Sequence, residues 1–128
     1  MARFPAPKTK TDARNDWAAS IRERLPAWLD QVAPEGGRGM VAGNGAVELI
    51  VGADKVAGFL PTGIGLSVYL YGSSDTEVKR IERLCDRAGV PEEARPPRTS
   101  KYVLVKVKDD ATLDRVAEAV RLHCIGRR

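Results

Sequence analysis

Two cysteines and a single histidine are all that this chain of 128 residues offers to thiol or soft-metal chemistry. Cys85 and Cys124 stand far apart and make neither a dense disulfide framework nor a closely spaced ligand pair. His123 adjoins Cys124, but neighbouring positions on a helix point about 100° apart, so the two do not converge on one ion, and a fourth donor is missing. Both thiols read as small apolar residues in amphipathic helices, with no setting that would activate them. No metal site, no cofactor and no catalytic residue is assigned.

Long apolar runs are also missing. Glu48, Asp54, Lys55 and several glycines break every hydrophobic stretch before the roughly 20 residues a membrane-spanning helix needs. Met1 to Thr11 is basic but has no apolar core, so a secretory signal is not expected. The expectation is a cytoplasmic bacterial protein with no membrane partner. The glycine-rich stretch from Ala33 to Asn44 lacks the Lys-Ser or Lys-Thr ending of a phosphate-binding loop and reads as a connection, with Met40 and Val41 packing briefly or forming a short strand. No acidic cluster has the pattern of a calcium loop.

What is present is the balance of a folded domain, with 43% hydrophobic and 30% charged residues. The pattern divides into a flexible basic arm over 1–11 and a single domain over 12–128. Trp17, Ile21, Leu25, Trp28, Leu29 and Val32 recur at helical spacing, with Pro26 among them. That combination predicts a helix over 13–24 followed by a kink or a second short helix, the tryptophans serving as core anchors. Ala46–Val51 and Val56–Leu60 read as strands joined by a turn at Gly52–Lys55. The next segment, Ile64 to Gly72, alternates strictly: Ile64, Leu66, Val68 and Leu70 take one face, and Gly65, Ser67, Tyr69 and Tyr71 the other.

Ser74 followed by Glu77 marks the start of a helix over about 75–88 that ends at Gly89. A proline-containing loop then leads to a strand over Tyr102–Val107, with Val103, Val105 and Val107 opposite Tyr102, Leu104 and Lys106. A last helix follows Asp109 and Asp110, with Leu113, Val116, Ala117, Val120 and Cys124 as its apolar face. The fold class is therefore α+β: a mainly antiparallel sheet of four to five strands packed against two to three helices.

Residues 1–94 carry 12 Lys or Arg against 13 Asp or Glu, whereas residues 95–128 carry 9 against 4, so the net charge of +4 comes from the last quarter. Arg95, Arg98, Ser100, Lys101, Tyr102, Lys106 and Lys108 form a candidate nucleic-acid or anion-binding surface. Cations and hydroxyls suit phosphates there, and Tyr102 offers a ring for a base. Tyr69 and Tyr71 are candidate surface aromatics beside Tyr102 if helices cover only one side of the sheet.

Lys101–Lys106 and the following Asp109–Leu113, together with Gly65–Gly72, make the chain resemble small bacterial α+β domains of the YdhG-like kind. In those domains a final strand likewise runs through an acidic turn into a terminal helix. The resemblance implies the same fold and a function largely unknown. Some of those domains are linked to intracellular iron handling, and no iron ligand carries over to a residue here. The function expected is a small non-enzymatic binding or accessory domain that contacts nucleic acid or an acidic protein. The alternatives are an enzyme with a cleft near the tyrosines, using Tyr69, Tyr71, Glu92 or His123, and an interaction or structural domain, self-association included.

Overall fold

The computed structural model describes residues 10–41 and 45–125. Its elements follow in the order α1 (Lys10–Val32), β1 (Gly37–Val41), β2 (Val47–Val51), β3 (Asp54–Pro61), β4 (Leu66–Tyr71), α2 (Asp75–Ala88), a short 3-10 turn (Glu92–Ala94), β5 (Tyr102–Val107) and α3 (Asp110–Ile125). The five strands lie side by side in chain order, every neighbouring pair antiparallel. The α+β arrangement expected from the periodicities is the one observed. The expected arm lies outside the described residues except for Lys10 and Thr11, whose backbone already belongs to α1.

Sheet register follows from alternation and from tight turns. Gly52, at φ +64, makes the reversal between β2 and β3, a conformation that side-chain-bearing residues rarely adopt. Across β2 and β3 the pairing slips: Leu49 faces Ala57 while Ile50 faces Lys55. Val56 is the extra residue of this bulge, and both Val56 and Ala57 are wholly buried. Leu49, Phe59, Val68, Leu70, Val103 and Val105 form the packed side of the sheet. Ile21, Leu25 and Leu29 of α1, Val78, Ile81 and Cys85 of α2, and Val116, Val120 and Cys124 of α3 belong to the same core. Trp28 meets Phe59 edge-on at 5.4 Å between ring centroids.

Three local features refine or correct the sequence reading. Helix α1 is one element from Lys10 to Val32 with Pro26 inside it, so no separate second helix begins at the proline. The lost hydrogen bond and steric cost, about 3 kcal/mol, are offset because Ile21 and Leu25 before the proline and Trp28 and Leu29 after it all pack against the core. Ile64 does not extend the apolar face of β4; it lies before the strand and is 52% exposed. On α3 Leu113, Val116, Val120 and Cys124 are buried as expected, but Ala119 and His123 join them in place of Ala117. Met40 and Val41 do form a short strand, as one of the two expected alternatives had it, and that strand, β1, begins at Gly37; Ala42–Asn44 lie outside the described residues.

Helix α2 has the expected ends. The Ser74 hydroxyl accepts from the Glu77 amide at 3.2 Å, and Gly89 closes the helix in the left-handed conformation at φ +78. The Glu77 carboxylate takes the Ser73 hydroxyl at 2.6 Å. Asp109 caps α3 by accepting from the Thr112 amide at 2.7 Å. Asp110 accepts from Trp17 Nε1 and from Arg24, both at 2.9 Å, and so ties α3 to α1.

Candidate functional site

The side of the sheet opposite the helices is built by the second phase of each strand's alternation. Tyr71 pairs with Tyr102, Tyr69 with Leu104 and Ser67 with Lys106 across β4 and β5. Lys106 is exposed, and the other five side chains are partly exposed. The pleat therefore brings the three tyrosines of the chain into one cluster. Tyr69 and Tyr71 lie nearly parallel at 6.3 Å, and Tyr102 meets them edge-on at 5.2 and 6.4 Å.

The cluster continues across the sheet as a row. Tyr71 leans over Gly58 of β3, where a Cβ would come within 2.7 Å of the Tyr71 hydroxyl oxygen. Gly58 pairs in turn with Glu48 of β2, whose carboxylate holds Lys55 at 2.9 Å. Burial pushes the Tyr71 phenol up, and the Glu48 charge adds to the effect, so Tyr71 keeps its proton at neutral pH and can donate it in a hydrogen bond. Hydrogen bonding to Glu48, with that carboxylate's charge, raises Lys55 and holds it as an ammonium.

The basic residues of the last quarter divide into two groups. Arg95 is largely buried and bonds the Asp86 carboxylate at 2.7 Å; it also reaches the Glu82 and Val90 carbonyls. Arg98 holds Asp75 through Nη1 and Glu82 through Nε, both at 2.6 Å. These two arginines fasten the loop to α2 and do not share the tyrosine face. Asp75 is held below the usual carboxylate range chiefly by its hydrogen bond from Arg98. Lys101 and Ser100 are exposed at the approach to β5, and Lys108 is exposed just beyond its end. Thr99 shapes that approach, its hydroxyl accepting from the Lys101 and Tyr102 amides at 3.0 and 3.1 Å. Tyr102 and Lys106, with Tyr69 and Tyr71, are thus the candidate residues that the strands bring onto one surface.

The groups weighed for catalysis do not converge. His123 is wholly buried, its Nε2 2.9 Å from the Tyr71 backbone carbonyl, while Glu92 lies exposed in the 3-10 turn. Cys85 is buried, and desolvation pushes its thiol up to about 11, far from a thiolate at neutral pH. Among the described residues no three His, Cys, Asp or Glu side chains gather as metal ligands, and no helix is long and apolar enough to cross a membrane. Gly58 belongs to the site although no motif points to it, and its one sequence signal is a glycine inside a strand, which marks a close approach. The acids at 75, 82 and 86, on one side of α2, likewise mark a partner for the loop arginines.

No family model matches the chain, and neither does any curated protein or any solved structure.

Proposed function

We propose that the protein is a non-enzymatic binding domain that holds single-stranded nucleic acid on the tyrosine face of its sheet. The observation that carries this reading is the cluster of Tyr69, Tyr71 and Tyr102, partly exposed on the side opposite the helices, with Lys106 along the same strand. Unpaired bases offer flat rings to such a surface whatever their identity, and stacking contributes about 1–3 kcal/mol per base. Lys106 supplies a cation on that surface, and Lys101 and Lys108 extend the positive charge to both ends of β5. Leu60 and Leu104 add partly exposed apolar area beside the rings.

Binding of a fluorescein-labelled single-stranded oligonucleotide, followed by anisotropy, tests this reading. Tyr102→Ala is expected to weaken binding by about 5- to 150-fold, matching the loss of one stacked base. Lys106→Glu should weaken it by a factor that grows as salt is lowered, whereas Arg98→Ala, which removes a loop fastening, should leave affinity within about twofold. Absence of binding by the parent chain, or binding indifferent to Tyr102 and Lys106, would overturn the proposal.

A further inference from the structure

Helix α2 sorts its charges by side. Asp75, Glu82 and Asp86 each hold a basic side chain: Asp75 takes Arg98 and Lys79, Glu82 takes Arg98, and Asp86 takes Arg95. The acids of the helix are therefore largely engaged on the loop side. Arg80, Arg83 and Arg87 stand at i, i+3 and i+7, about 10 Å from first to last along the axis. None of the three forms an ion pair among the described residues.

These arginines border a groove of about 810 Å³ between α2 and α3. Leu84, Leu122 and Ile125 supply its apolar lining, and Ile125 is 49% exposed. Glu77 is the one acid among the lining residues, and its carboxylate already accepts from Ser73. The groove thus combines an apolar trough with a row of cations repeating at about one helical turn. A phosphate chain would satisfy the cations and leave the trough empty. A helix with carboxylates at i, i+3 or i+4 and i+7 beside an apolar stripe satisfies both.

We propose that the α2–α3 groove docks an acidic amphipathic helix of a partner protein, its apolar side chains on Leu84, Leu122 and Ile125 and its carboxylates on Arg80, Arg83 and Arg87. Charge complementarity selects the partner and sets its orientation, and the trough supplies the desolvated contact. The site lies on the helical side of the molecule and does not depend on the tyrosine face.

The test is anisotropy of a labelled synthetic peptide of about 15 residues, with leucine at the i, i+3, i+4 and i+7 positions and glutamate elsewhere. Saturable binding that weakens with salt is expected. Arg80→Glu with Arg83→Glu and Arg87→Glu should reduce affinity at least about tenfold, each charge pair contributing a share. Ile125→Glu, at an exposed position, should reduce it several-fold with unchanged circular dichroism. A peptide of the same composition with its leucines spread around the helix should bind at least about fivefold more weakly. No saturable binding, equal binding of the two peptides, or indifference to the substitutions would overturn the proposal. Tighter retention of phosphatidylserine vesicles or of an oligonucleotide by the same three arginines would also overturn it.

Discussion

A methyl group added at Gly65 would run into the backbone carbonyl oxygen of Val107, which belongs to the last pair of the β4–β5 ladder and has little room to yield. Gly65→Ala is therefore expected to lower stability by about 1–3 kcal/mol in urea unfolding, the range for overpacking against a rigid neighbour. At Gly58 the same added atom meets the far end of a tyrosine ring, which can swing aside. Gly58→Ala should accordingly disturb the Tyr71 ring and any ligand it holds while leaving the urea midpoint nearly unchanged. Asp110 gives a pH signature. Hydrogen bonds from Trp17 and then Arg24 hold its carboxyl below the usual carboxylate range. With the folded value depressed, its contribution is complete above the unfolded pKa and is lost as pH falls through the folded one. Asp110→Ala should cost about 0.5–1 kcal/mol at neutral pH, because the group is exposed and screened, and the deficit should shrink on acidification below pH about 4.

Elements were legible where a local rule and the tertiary demand coincide. The cap at Ser74, the glycine at the end of α2 and the strict alternation of β4 and β5 all state their structure within a few residues. The tyrosine surface was legible for the same reason, since period-two alternation assigns a side to every residue. Pro26 does not divide α1 into two helices because its local cost is offset by packing on both sides of it, information that resides in the sheet rather than in the helix. Pro26→Ala should therefore raise stability by about 1–3 kcal/mol, restoring the missing backbone hydrogen bond without touching the packed stripe. Arg95 and Arg98 were read with the basic surface because their acidic partners lie 9 and 23 positions away in the chain. Removing the Arg98 fastening by Arg98→Ala should speed amide exchange over residues 98–100 while amides of β3, β4 and β5 keep their protection. Lysine at that position should restore little, since one ammonium does not reproduce the two directed bonds to Asp75 and Glu82.

The three helices α1–α3 and strands β2–β5 meet in one apolar core, which makes them a single candidate for cooperative unfolding. Both tryptophans of the chain lie in α1, so their fluorescence reports the docking of that helix, while far-ultraviolet dichroism reports the whole. The two denaturation curves should coincide; an earlier fluorescence transition would show α1 leaving before the sheet opens.

A sheet buttressed on one side only places few steric demands on what its other side displays. Leu49, Phe59, Val68 and Val105 already bind the strands to the helices, so much of the chemistry presented at positions 69, 71 and 102 is open to exchange without dismantling the scaffold. The natural triad can then be judged apart from foldability. In a randomised library at those three codons, sorting for soluble expression should retain many combinations, and sorting for ligand capture should return aromatic ones.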